Sequence, residues 1–332
     1  MHLPKTRQEK PIFTVEKSKR CCPGARGGGI EKKALAPHTG AVMELNYNSA
    51  ASLRAFLESR GLGMRKRFGQ NFMISPGARR GLADALGASP GDAVWEIGPG
   101  LGAMTRALLD RGLAVRAFEI DPGFARALGE IFAGEPGFEL VEGDALRTWR
   151  AQPPAPFLLG NLPYNVGSAL LADFVESGLR FRRIVVTVQR EVARRMAAGP
   201  GGADYSSFSV LCASAYAVRP LAVFKGASFY PRPNVDSQGV LLEPREGAGA
   251  AIPPPGFYPL VRALFSARRK TIRNNLAAFL AGGRRGGEGA RDPAGLAEEA
   301  LARSGLDAGA RAESLSVEDF AALARAIGEA AP

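Results

Sequence analysis

Apolar positions along the chain follow two periodicities in turn. Mostly apolar runs near 92–97, 114–119, 138–142, 156–160 and 183–189 read as strands. Between them apolar residues recur at three- and four-residue spacing, as on one face of a helix. The runs are continuous rather than alternating, which predicts strands buried on both faces of a parallel sheet. Ahead of this core, Leu53, Phe56 and Leu57 share one face of a helix that starts near Ser49 and ends at Gly61, and a second helix covers about 76–86. After it, two more apolar runs, 208–217 and 235–242, read as strands flanking the proline-rich link Phe229-Tyr-Pro-Arg-Pro-Asn-Val235. Past a stretch rich in Gly, Ala and Pro, 247–256, helical spacing takes over at 257–281, 294–303 and 316–328. The predicted fold is α/β: a Rossmann-like, mostly parallel sheet followed by a small helical C-terminal part.

These patterns divide the chain into residues 1–42, a sheet domain over 43–246 and a helical domain over 257–330. The first segment mixes Lys, Pro, Gly and Ser without apolar periodicity and reads as a disordered basic leader. Met43 opens a regular sequence, so the leader is expected to be foreign to the natural protein; a basic RNA-binding arm is the alternative. The leader holds nine Lys or Arg against three Glu, so +6 of the chain's +11 sits there and the rest carries +5. That balance admits a nucleic-acid partner for the folded part. Of three cysteines only Cys212 lies in the body of the chain, which points to a reducing, cytoplasmic setting without a disulfide framework. The two histidines, His2 and His38, both precede the folded part, which excludes a histidine metal site or triad in the core.

Candidate chemistry lies at strand ends. After the run 93–97 come three glycines at alternate positions, Gly98, Gly100 and Gly102, and then a helix, a turn where backbone approaches a ligand closely. Glu119 closes the next strand, where a nucleotide-binding βαβ unit offers a carboxylate to ribose hydroxyls. The pattern fits a dinucleotide as well as S-adenosylmethionine, and a plain tight turn would also satisfy it. Asp144, after Gly143, is placed to accept from a cofactor amine, to cap a short helix, or to do both at once.

The deciding stretch is Gly160-Asn-Leu-Pro-Tyr164, at the end of the fourth strand. An exocyclic adenine amine is a poor nucleophile because its lone pair is delocalised into the ring. A side-chain oxygen (Asn161) and a backbone carbonyl (Leu162, ahead of Pro163) can accept from both N–H groups and favour a more tetrahedral, electron-rich nitrogen. Tyr164 supplies a face for stacking an extruded base. A sulfonium methyl donor needs no metal and no strong base, in keeping with a core that lacks histidine. Basic clusters at Arg65, Lys66 and Arg67, at Arg190 and Arg194, and at Arg268, Arg269, Lys270 and Arg273 are candidate RNA contacts.

Over roughly 64–320 the chain resembles the ribosomal RNA adenine dimethyltransferase family, most closely its bacterial small-subunit branch. The likeness rests on Arg67-Phe-Gly-Gln-Asn-Phe72, Glu96-Ile-Gly-Pro-Gly100, Glu119-Ile-Asp121, Gly143-Asp144, Asn161-Leu-Pro-Tyr164, Gln189-Arg-Glu-Val192, Phe229 to Ser237 and Leu264 to Leu276. The resemblance implies a class I methyltransferase domain with a helical C-terminal domain. It implies transfer of methyl groups from S-adenosylmethionine to two adjacent adenines in a loop near the 3′ end of small-subunit (16S) rRNA, by a monomer. It places Asn71, Met73, Gly98, Gly100, Glu119, Ile120, Asp144, Ala145 and Asn161 at the cofactor, and Phe229 beside Tyr164 at the target base. Tyr205-Ser-Ser-Phe-Ser209 departs from the family's usual Tyr-Gly-Arg-Leu-Ser, and Arg232 and Asn234 stand where Pro and Lys are common. Rival readings are a large-subunit rRNA methyltransferase of the antibiotic-resistance type, an assembly factor with vestigial methylation, and a nicotinamide oxidoreductase. The last leaves Asn161 to Tyr164 without a role.

Overall fold

A computed structural model describes residues 45–64, 70–162, 167–245, 253–282 and 292–330. The leader, the basic residues Arg65, Lys66 and Arg67, and Pro163 and Tyr164 lie outside the described residues.

Five strands run parallel at the centre: β2 (Ala93–Ile97), β3 (Ala114–Glu119), β4 (Phe138–Glu142), β5 (Phe157–Asn161) and β6 (Arg183–Gln189). The antiparallel strands β9 (Ser237–Pro244) and β7 (Tyr216–Phe224) extend the sheet, whose order is β4-β3-β2-β5-β6-β9-β7. The five strands read from the apolar runs are therefore all present, in the α/β arrangement expected. A separate pair, β1 (Phe72–Met73) with β8 (Phe229–Tyr230), matches Phe72 with Tyr230 and Met73 with Phe229.

Helices cover both faces because both carry apolar side chains. On one, Val94, Val115, Phe157, Leu159 and Val185 pack under α2 (Pro76–Leu86) and α3 (Ala103–Leu109). On the other, Trp95, Ile97, Leu158, Ile184 and Val186 meet α6 (Gly167–Glu176), α7 (Arg190–Ala197) and α8 (Ser207–Ala215). Trp95 sits at the centre of that face, its ring 5.1 Å from Phe118 and 5.6 Å from Phe181. A third apolar cluster gathers Phe257, Leu264, Leu276, Leu301 and Phe320 from α9 (Phe257–Leu264), α10 (Ile272–Gly282), α11 (Pro293–Ser304) and α12 (Val317–Ala330). Tyr205 and Val210, from beside the sheet, belong to it as well, and the Tyr205 hydroxyl donates to Leu315 O at 2.8 Å.

Two expectations need correction. The run 208–217 is mostly helix: Ser206 and Ser209 form a reciprocal capping box that starts α8, and the strand begins only at Tyr216. Nor is 257–281 one helix. It breaks between Leu264 and Ile272, where the buried Asn275 amide donates to Leu264 O (2.8 Å) and Ala267 O (3.1 Å) and holds the bend. Arg268, Arg269 and Lys270 consequently lie in an exposed turn, and only Arg273 is helical.

Candidate active site

Sheet register assembles the site. Ile97 pairs with Phe118 on one side and with Gly160 on the other. Gly98, Glu119 and Asn161, one position further on, therefore stand at one level across the carboxyl edge of three adjacent strands. Asn161 in turn pairs with Thr187 of β6. Carboxyl edges of parallel strands are where such folds bind ligands.

At this edge a cleft is lined by Gln70, Asn71, Phe72, Met73, Glu96, Gly98, Pro99, Gly100, Ala103, Met104, Glu119, Ile120 and Asn161. Gly98 and Gly100 adopt φ of +69° and +60°, the left-handed region closed to most side chains. A Cβ on Gly100 would also stand 2.8 Å from the Phe72 ring. The turn thus needs glycine both for its backbone and for its neighbour.

Glu119 is 5% exposed; its two carboxylate oxygens accept from Gly100 N (3.2 Å) and Asp121 N (2.9 Å) and keep lone pairs for a ligand. Glu96, 2% exposed, accepts from the Thr105 hydroxyl at 2.6 Å. Burial pushes both carboxyls up to about 7. The Asn161 side-chain amide donates to Asn71 O at 2.7 Å.

Of the residues expected at a cofactor, Asn71, Met73, Gly98, Gly100, Glu119, Ile120 and Asn161 meet in this cleft, with Ile120 exposed at its rim. Asp144 and Ala145 are not among its walls. The Asp144 carboxylate caps α5 (Ala145–Thr148) by accepting from Leu146 N at 3.0 Å, and Ala145 packs into the cluster around Trp95. Leu162 follows Asn161 just past the end of β5, its N–H donating to Thr187 O at 3.0 Å. Phe229 does not open on the cleft either. It is 4% exposed and packs with Met73 and Leu82, because the β1–β8 pairing turns it inward. Glu96, Phe72 and Met104 are walls that the sequence reading did not assign. For Glu96 a signal existed: it is the one acid within the apolar run 93–97.

Of the expected RNA contacts within the described residues, Arg194 pairs with Asp204 (3.3 Å), Arg268 with Glu313 (3.4 Å) and Arg273 with Glu298. Arg190, Arg269 and Lys270 are exposed and make no ion pair among the described residues.

The charge of the cleft separates the two cofactors that the glycine turn admits. Its described walls carry two carboxyls and no Lys or Arg. A dinucleotide brings an anionic pyrophosphate, whereas S-adenosylmethionine brings a sulfonium, an ammonium and a ribose diol. The residues fit the cation. Fold and cleft together define a class I S-adenosylmethionine-dependent methyltransferase. Within that class, the chain belongs to the ribosomal RNA adenine dimethylase family, whose sequence model matches residues 61–321. Relatives include ribosomal RNA small subunit methyltransferase A of Treponema pallidum, 44% identical over 84% of this chain and 96% of that one, and the protein of the same name from Moorella thermoacetica, 38% identical over 82% and 96%. A dimethyladenosine transferase from Plasmodium falciparum shares the fold (TM-score 0.64, 24% identity, 77% of this chain and 97% of that one). The 23S rRNA methyltransferase ErmE superposes with a TM-score of 0.53 at 25% identity, over 76% and 98%.

Proposed function

We propose that the protein dimethylates N6 of two adjacent adenines in a loop near the 3′ end of small-subunit (16S) rRNA, as a cytoplasmic monomer active in subunit biogenesis. The observation that carries this reading is the common level of Gly98, Glu119 and Asn161 at the mouth of an acidic cleft. In it, Glu119 accepts from ribose hydroxyls, the glycine turn admits the ligand to the backbone, and Glu96 adds negative charge facing a cation. Bound S-adenosylmethionine supplies a methyl on a sulfonium, electrophilic without metal assistance. Asn161 Oδ1 and the Leu162 carbonyl accept the two N–H groups of the adenine amine and localise its lone pair for attack. Tyr164 stacks on the base. Residues 43–246 perform this chemistry, and 257–330 serve as an RNA-holding domain through Arg269 and Lys270, with Arg190 adding to it from α7.

Small-subunit specificity is supported by the names of the relatives, matched over 96% of their length. The likeness to ErmE favours large-subunit rRNA as the second reading. Incubation with radiolabelled S-adenosylmethionine and, separately, unmethylated small and large subunits separates them. Label confined to two neighbouring adenines of the small subunit is expected; label on the large subunit alone establishes the second reading.

A further inference from the structure

An asparagine side chain can present either end to a substrate. One end accepts hydrogen bonds and the other donates them, and the two are nearly equal in shape. Accepting from an adenine amine requires the oxygen end. We propose that the backbone carbonyl of Asn71 sets the polarity of the Asn161 amide, which makes β1 the positioning element for the amine acceptor. This rests on the reading of Asn161 given above.

The Asn161 Nδ2 donates to Asn71 O at 2.7 Å. A carbonyl oxygen only accepts, so the amide's NH2 end faces it and Oδ1 is left for the substrate. Turning the amide over would place two acceptors against each other and forfeit a hydrogen bond. The carbonyl itself is held from several sides. Phe72 and Met73, which follow it, pair with Tyr230 and Phe229, and Ile74 N donates to Ser228 O at 2.9 Å. Arg79 of α2 donates to Met73 O at 2.7 Å. Arg54 of α1 (Ala50–Ser59) donates to the Tyr230 hydroxyl at 3.2 Å. The Phe72 ring packs over Gly100. Strand β1, too short to stabilise a sheet, thus serves as a bracket that aims the carbonyl just ahead of it, Asn71 O, at β5.

The bracket explains why residue 161 is asparagine. A carboxylate accepts from N–H groups better than an amide does. Aspartate would therefore improve the site if only the substrate mattered. Against Asn71 O, however, a carboxylate oxygen is repelled, and only the protonated acid, donating its O–H there, restores the arrangement.

Asn161→Asp tests this. The titratable groups facing the pair are Glu96 from β2 and Glu119 from β3 at the cleft, Arg79 from α2 behind Met73, and Tyr230 with Arg54 behind Phe72. They remain in both proteins, so the variant's single-turnover methylation rate is divided by the wild-type rate at each pH, with cofactor and subunits saturating. The expected ratio is about 10⁻² at pH 8. It should rise about tenfold for each unit of acidification until the introduced acid is protonated. A ratio that stays flat with pH, at any level, overturns the proposal. Asn161→Ala run alongside distinguishes the two failures: if it turns over normally, the acceptor assignment itself falls. If it is slow while Asn161→Asp is fast at pH 8, only the positioning role falls. Should Asn161→Asp not fold, the side-chain amide of Asn161 in ¹⁵N-labelled wild-type protein decides. One of its two protons should exchange slowly with solvent, and rapid exchange of both overturns the proposal.

Discussion

The carboxyl edge of the sheet and the turn between α9 and α10 carry the two halves of the proposed activity, and they are built on opposite principles. At the edge, three residues at the ends of three strands are set level by backbone pairing, and buried carboxyls hold lone pairs toward a cleft. At the turn, Arg268, Arg269 and Lys270 project into solvent from a bend stapled by Asn275, and salt partners already engage Arg268 and, on α10, Arg273. The first arrangement holds its groups in one geometry, as bond making requires. The second presents charge without fixing it, which suits a phosphate backbone that needs neutralising more than reading. Rate should therefore depend on the edge and grip on the turn.

The largest expected effect comes from removing the amine acceptor. Asn161→Ala should lower the single-turnover rate, read at saturating cofactor, by about 10²–10³ while folding persists. Rapid-quench methylation with saturating subunits measures this, and a near-normal rate would remove Asn161 from the chemistry.

Next is Glu119→Ala, which should weaken S-adenosylmethionine binding by about 1–3 kcal/mol, since ribose hydroxyls lose a charged partner. Titration calorimetry reads it directly. The wild-type affinity should itself vary with pH. Burial holds Glu119 near 7, so acidification below that value protonates it and weakens binding, while Glu119→Gln should flatten the profile. Glu96 titrates in the same range and remains in the variant as the residual slope. Stability of the ligand-free protein should run the other way. Both carboxyls bind protons more tightly folded than unfolded, so stability falls as pH rises from the ordinary carboxylate value of 4.5 to about 7. Thermal melts across that window check the sign.

Smaller effects belong to the turn. Arg269→Ala with Lys270→Ala should weaken subunit binding and lower the slope of log affinity against log salt by up to about 2, roughly one for each phosphate that the protein no longer neutralises. Arg268→Ala with Arg273→Ala should do less, because Glu313 and Glu298 already neutralise those side chains. Equal losses from the two pairs would show that the ion pairs open on binding.

Much of the edge was legible in the sequence because strands of a buried parallel sheet are apolar, so polar residues and glycines at their ends stand out. Gly98, Glu119 and Asn161 are of that kind. Glu96 was legible in principle, as an acid within an apolar strand, but periodicity alone assigns it no partner such as Thr105. Asp144 was open to two readings that can hold together, and the capping one is the geometry observed: a four-residue helix has few other ways to satisfy its first N–H groups. The turn was less legible. Apolar spacing continues through 257–281, and the break depends on one buried amide, Asn275, that reaches back to two carbonyls. The inward turn of Phe229 was hidden for a similar reason, since a two-residue strand pairing leaves no periodic trace.

The separation of rate from grip is tested most directly by one crossed experiment. Single-turnover rate at saturation and subunit affinity are measured for Asn161→Ala and for the Arg269→Ala, Lys270→Ala double variant. The expected result is a slow Asn161 variant with wild-type affinity and a turn variant with weakened affinity and a wild-type rate at saturation. A turn variant that stays slow at saturating subunits, or an Asn161 variant that binds weakly yet reacts at the normal rate, would contradict it.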